Sequence, residues 1–200
     1  MFVKCRPKIS TSGGDNPVVV DDSRLILWEN FSPQGQPFSR TIDISEYDLR
    51  NNCTFFCDVE VSNSTEETLI SVGRDISTKE GNNYPRSVIH FQYPVAGVKE
   101  DDLNIYTTSR RSGAAARRNN YYVRSSERYK IALNSNGVAI NGVVLGSIFY
   151  YDEYFLSLYS DLTRPIEIGS TYNNHSNQYY HEVSMIKEYL TTQQMSGLTT

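Results

Sequence analysis

Long apolar runs are missing from this chain: no window approaches the roughly eighteen consecutive apolar residues that a membrane-spanning helix requires. The opening Met1-Phe2-Val3-Lys4-Cys5-Arg6-Pro7-Lys8 has basic residues with no apolar stretch behind them, which does not fit a secretory leader. Cysteine is scarce as well. Three residues, Cys5, Cys53 and Cys57, form an odd and sparse set, which excludes a disulfide-stapled scaffold and points to folding in a reducing cytosol. With 12 Gly and 7 Pro in 200 residues, collagen-like and low-complexity architectures are excluded too. What remains is a globular composition, 38% hydrophobic, with enough chain to bury a core. Tyrosine stands out, with 15 copies against one Trp.

The formal charge of −4 hides a segregation. Of 19 basic residues, six arginines (110, 111, 117, 118, 124 and 128) lie between Arg110 and Arg128 beside a single acid, Glu127. The remaining 13 basic side chains are outnumbered by 22 acids, so one basic segment sits on an acidic body.

Residues 1–23 carry breaker signals at Pro7, Ser10-Thr11-Ser12-Gly13-Gly14, Asn16-Pro17 and Asp21-Asp22-Ser23, and read as an extended arm. From Arg24 onward, short β-favouring runs alternate with polar turns, the spacing of an all-β sandwich or barrel. The expected strands are Leu25–Trp28, Thr41–Ile44, Cys53–Ser62, Thr68–Gly73, Ser87–Tyr93, Asn104–Thr108, Tyr121–Arg124, Arg128–Ser135, Val138–Leu145, Phe155–Tyr159, Pro165–Gly169 and Tyr179–Tyr189. In the third of these, Cys53, Phe55, Cys57, Val59 and Val61 share one face, expected to be core, and Asp58, Glu60 and Ser62 share the other, expected to be solvated. In the last, Val183 and Met185 oppose Glu182, Ser184 and Glu188.

Asn136-Gly137 has the form of a two-residue hairpin turn, because both central positions of that turn need positive φ. A turn there pairs Leu133 with Ile140 and Tyr129 with Val144. It places Tyr129, Ile131, Leu133, Ile140 and Val144 on one apolar face, with Lys130 and Asn134 opposite. At the C-terminus, Thr191 followed three residues later by Gln194 is a capping box, which predicts a short helix ending near Gly197.

These segments carry a resemblance. The series Tyr129-Lys130-Ile131-Ala132-Leu133, turn, Val138-Ala139-Ile140-Asn141-Gly142, then Ile166-Glu167-Ile168-Gly169-Ser170, then Tyr180 to Thr191 and Gln194 resembles the concanavalin A-like, laminin-G-like jelly rolls, particularly those of bacteriophage head and tail appendages. In that pattern an Ile-Gly edge strand follows the hairpin, and the last strand leads into the terminal turn of helix. The likeness covers roughly the last 75 residues. It implies a two-sheet antiparallel jelly-roll sandwich over residues 24–200, closed by a short C-terminal helix; the arm at 1–23 matches nothing in the family. It also implies a virion protein, assembled in the host cytoplasm, whose arm contacts other virion proteins and whose sandwich adheres to host surface glycans. A homo-oligomer is expected in such an assembly. The alternatives are a purely structural virion part without sugar binding and, more weakly, a glycoside hydrolase.

A hydrolase on this fold needs two carboxylates astride the scissile bond. Asp58-Val59-Glu60 comes nearest to the Glu-x-Asp-x-Glu run of the family's hydrolytic members, but its flanking same-face positions are Phe56 and Ser62, so no catalytic residue is assigned and no enzyme is expected. Glu46-Tyr47-Asp48 lies in a turn-like stretch. Cys53 and Cys57 on one strand are about 13 Å apart, beyond reach of a common metal or a disulfide, and read as core thiols. His90, His175 and His181 are scattered. The acidic runs Lys99-Glu100-Asp101-Asp102 and Tyr151-Asp152-Glu153 lack an EF-hand spacing. No metal or cofactor is therefore expected.

The basic stretch with its adjoining tyrosines has the composition of a nucleic-acid contact, but it is short and the protein is acidic, which favours a loop or an acidic protein partner instead. Tyrosine serves sugar recognition and protein interfaces alike. The expected glycan- or partner-binding residues are accordingly Arg117, Arg118, Tyr121, Tyr122, Tyr150, Tyr151, Tyr172, Asn173, Asn174 and His175.

Overall fold

The computed structural model describes residues 22–31, 33–42, 53–61, 67–72, 86–92, 102–110, 117–124, 126–134, 137–145, 166–170 and 178–200. Among these residues, after a 3-10 turn at Asp22–Arg24, twelve strands and one α-helix run in the order β1 (Leu25–Asn30), β2 (Arg40–Ile42), β3 (Thr54–Glu60), β4 (Glu67–Val72), β5 (Arg86–Gln92), β6 (Asp102–Arg110), β7 (Arg117–Arg124), β8 (Arg128–Asn134), β9 (Gly137–Ile140), β10 (Val143–Val144), β11 (Ile166–Ser170), β12 (Tyr179–Ile186) and α1 (Thr192–Thr199). They form two six-stranded antiparallel sheets, ordered β1-β12-β3-β8-β9-β10 and β2-β11-β4-β5-β6-β7. The expected two-sheet sandwich with a terminal helix is therefore the fold. The arm up to residue 21, Cys5, Glu46 to Asp48 and the strand expected at Phe155–Tyr159 lie outside the described residues. Among those described, no helix is long and apolar enough to cross a membrane.

The main core joins the sheets. Phe55, Cys57, Val59, Ile131, Leu133, Ile140, Val183 and Met185 of the first sheet pack in one cluster with Ile168 of the second. Each such side chain, once sealed from water, contributes about 1.5–3 kcal/mol over its exposed state. Cys53 and Cys57 are free, buried thiols, and burial pushes the Cys53 thiol well above its ordinary range.

The first sheet departs from the expected two-faced pattern. Its far face is covered as well, because α1 packs Met195 and Leu198 against Phe56, Ala132, Ala139 and Ile186. Asn134, expected opposite the apolar face of the hairpin, is buried, and so is Thr54. They are satisfied there: the Asn134 amide donates to Thr54 Oγ1 (3.0 Å) and to the Leu190 carbonyl (2.7 Å). The helix begins at the expected capping box, Thr191 with Gln194, and runs to Thr199, two residues beyond Gly197.

The hairpin register is corrected. Leu133 pairs with Val138 and Ile131 with Ile140, two residues away from the expected alignment. The expected strand Val138–Leu145 is in fact two strands, β9 and β10, turned back at Asn141-Gly142 with φ of 47° and 81°. This second Asn-Gly pair is a two-residue turn with both φ positive, whereas Gly137 pairs with Asn134 in the β8–β9 ladder. A shift of two residues keeps every side chain on its face, so alternation could not distinguish the registers. The face assignments of Tyr129, Ile131, Leu133 and Ile140 hold, while Val144 lies on the sheet edge, 37% exposed. A second correction concerns β11: the Ile-Gly strand is not an edge, since β2 pairs along its other side.

Candidate functional site

The pairing of β5, β6 and β7 decides which residues of the second sheet share a face. Ile168 of β11, buried in the core, begins the row Ile168, Ile70, Ile89, Thr107, Asn119 across five strands. Because side chains alternate along a strand, that row marks the inner face, and the rows on either side of it belong to the outer face. Over β5 to β7 the inner rows also contain Phe91, Ile105 and Tyr121, and Leu103 with Val123. The remaining inner row, Ser87, Ser109 and Arg117, is polar.

The outer rows are polar. They are Arg86 with Arg110; Val88, Thr108, Arg118; His90, Tyr106, Asn120; Gln92, Asn104, Tyr122; and Asp102 with Arg124, Val88 being the one apolar member. With strands ~4.8 Å apart and same-face rows ~7 Å apart, the rows through His90 and Gln92 bring six planar polar residues into a patch of roughly 10 by 7 Å. Amides offer donors and acceptors together, and tyrosine adds a flat apolar ring with a polar tip. Such a set matches a sugar, which presents hydroxyls at its rim and C–H groups on its faces.

The expected site residues are thereby divided. Arg118 and Tyr122 fall on the outer face, Arg117 and Tyr121 on the inner parity with Ile168. Tyr150, Tyr151, Tyr172, Asn173, Asn174 and His175 lie outside the described residues. His90, Gln92, Asn104, Tyr106 and Asn120 were missed. Strand alternation in the sequence puts His90 with Gln92, and Asn104 with Tyr106, but only the cross-strand register joins the pairs. The expected loop over the basic stretch is partly strand. Residues 117–124 form an edge strand, and charges on an edge also discourage pairing with another chain.

The other charged cluster lies on the first sheet. Asp58, expected to be solvated, is buried, with Arg128 Nε 2.6 Å from Oδ1 and Nη2 2.7 Å from Oδ2. Bonding to Asp58 raises the Arg128 pKa further. Glu182, the cross-strand partner of Asp58, accepts from Trp28 Nε1 at 3.1 Å. Burial, chiefly, and the neighbouring Asp58 raise its pKa, against the lowering effect of the Trp28 bond. With both oxygens held by one guanidinium, Asp58 is committed to an ion pair.

His181, beside this cluster at a bulge in β12, is buried over Gly35 with Nε2 3.6 Å from Glu60 Oε2. Among the described residues no three potential metal ligands converge. Glu100, Asp101, Asp152 and Glu153 lie outside them.

No family model matches the chain, and no curated protein matches it. Solved structures do. The chain is similar to the CBM40 module of Ruminococcus gnavus IT-sialidase bound to α2,3-sialyllactose, at 13% identity over 88% of this chain and 100% of that one, TM-score 0.56. It is similar to NanB with Optactamide at 10% identity, 86% and 27% coverage and TM-score 0.56. A third likeness is to Trypanosoma rangeli sialidase with a difluoro-KDN ligand, at 14% identity, 98% and 35% coverage and TM-score 0.55. The chain spans about a third or less of the latter two proteins. At these identities the likeness is one of fold.

Proposed function

We propose that this chain is a carbohydrate-binding domain that docks a glycan on the outer face of β5, β6 and β7, without hydrolysing it. The single observation that carries this reading is the register that joins His90, Tyr106 and Asn120 in one row and Gln92, Asn104 and Tyr122 in the next. The fold shared with a sialyllactose-binding CBM40 module supports it. Binding rather than hydrolysis is supported by Asp58, whose oxygens are both taken by Arg128. A glycan array probed with the full chain tests the reading: selective retention of a sugar class supports it, and silence at millimolar sugar retires it.

The setting we infer is a phage appendage, assembled in the host cytoplasm, with residues 1–23 anchoring the domain to other virion proteins and the sandwich repeated in a homo-oligomer. The support is the sequence likeness of the last strands to phage appendage jelly rolls. Deleting residues 1–23 should abolish incorporation into particles while the sandwich keeps its melting temperature. Normal incorporation of the truncated chain would retire the anchor.

A further inference from the structure

The two sheets end in four outer strands, β1 and β10 in the first, β2 and β7 in the second. An outer strand presents backbone groups that can template pairing with another chain, and proteins guard such edges with bulges and charges. β1 has a register shift between Leu25 and Leu27 and places Glu29 opposite the core residue Val183, a charge on the inner parity. β2 contains the exposed Arg40, and β7 contains Arg117, Arg118 and Arg124. β10 is short but carries no charge. Between Lys130 and Asp152 the sequence has no charged residue, and Val143, Val144 and the following Leu145 are 53%, 37% and 39% exposed.

This edge is held in place. The turn before it is gripped by the end of α1, with the Gly142 amide donating to Thr199 Oγ1 at 3.0 Å and the Ser196 hydroxyl donating to the Gly142 carbonyl. Val143 and Val144 stand opposite Ile140 and Ala139, and the Leu145 amide donates to the Val138 carbonyl at 2.8 Å. Because bonded and non-bonded positions alternate along an antiparallel ladder, Val144 between them directs its own N–H and C=O away from β9. Such an edge complements a copy of itself. Antiparallel pairing about a two-fold axis at Val144 makes one N–H to C=O bond in each direction, sets the two Val144 residues opposite each other and places Val143 across from Leu145 of the second copy. No like charges meet there, whereas β7 paired with itself in its centred register would set Arg117 against Arg124. We propose that β10 is a homodimer edge, at which the first sheets of two copies, six strands from each, join into one continuous sheet. The inference gives the homo-oligomer inferred above its contact surface and does not depend on the glycan reading.

The test uses the full chain. Analytical ultracentrifugation over a dilution series, with melting temperatures in parallel, compares the wild type with Val144→Lys, Val143→Lys and, as a control on another edge, Thr41→Lys. The wild type and Thr41→Lys should sediment at twice the chain mass when concentrated. The two β10 variants should stay at the chain mass, a loss of about a hundredfold or more in association for Val144→Lys, which sets two lysines against each other across the axis. Hydrogen exchange on the wild type adds a second readout: the Val144 amide should exchange slowly when concentrated and faster on dilution, while the Leu145 amide, bonded within its own hairpin, should not change. That readout decides the matter even where a lysine lowers the melting temperature. A wild type that is monomeric at every concentration overturns the edge and the homo-oligomer together. A dimer that persists in both β10 variants, or is lost equally in Thr41→Lys, or leaves the Val144 amide unprotected, overturns the edge and keeps the homo-oligomer.

Discussion

Gly169 lies directly beneath the backbone carbonyl of Phe38, and a Cβ at its position would overlap that oxygen. The residue also has φ of +63°, where side chains are strained. The contact sits where β11 meets the segment before β2, beside the edge-on packing of Phe38 on Tyr180. Gly169→Ala should therefore cost about 3 kcal/mol or more, from backbone strain and overlap together. Urea denaturation checks this, and a midpoint like that of the wild type would mean that the approach is looser than described.

The Asp58–Arg128 pair supports a second expectation. Asp58 is almost fully buried while Arg128 is about half exposed, so solvent screens one side of the pair. Arg128→Met should destabilise the fold by about 2 kcal/mol, chiefly by leaving a buried carboxylate unpaired. Asp58→Asn combined with Arg128→Met should recover part of that loss. A double-mutant cycle showing additive losses would contradict the coupling.

Glu182 gives the fold a pH dependence of definite sign. Its folded pKa is raised above the unfolded value, so the folded state holds its proton longer. Between the ordinary carboxylate range and the raised value the unfolded state binds fewer protons, and the stability contributed by this group falls as pH rises. Glu182→Gln keeps an acceptor for Trp28 and removes the titration. The variant should be more stable than wild type at neutral pH, with the difference shrinking as pH drops below the normal Glu range. Chemical denaturation at several pH values measures it, and a difference independent of pH would contradict the assignment.

The terminal helix should depend on its cap. The Thr191 hydroxyl accepts from the Gln194 amide at 3.2 Å, and the Gln194 side chain accepts from the Thr191 amide at 2.8 Å. Thr191→Ala should cost about 1 kcal/mol. Hydrogen exchange should rise across Thr192–Thr199 and, since α1 covers Ala132 and Ala139, in β8 and β9. Faster exchange in the helix alone would show that it caps nothing.

Period-2 alternation made the sandwich legible in the sequence, and Thr191 with Gln194 made the helix legible. The inner face of β3, from Cys53 to Val61, follows directly from that alternation. Its other face does not, because nothing local to Thr54, Phe56 or Asp58 reveals that α1 and Arg128 will cover them. The hairpin register escaped for a related reason: two Asn-Gly pairs compete, and registers two residues apart have identical faces. At the candidate site, Arg118 and Tyr122 were legible as polar residues of a basic stretch. Their neighbours His90 and Tyr106 lie up to 32 positions away, and only long-range pairing brings them into adjoining rows.

The most direct measurement is a calorimetric titration of the strongest array ligand into the wild type, Tyr106→Ala, Asn120→Ala and Asn119→Ala, with melting temperatures taken in parallel. If the outer face of β5 to β7 is the binding surface, Tyr106→Ala and Asn120→Ala weaken affinity by about tenfold or more and Asn119→Ala, on the opposite parity, does not. Unchanged affinity in both outer-face variants, with folding intact, would contradict it.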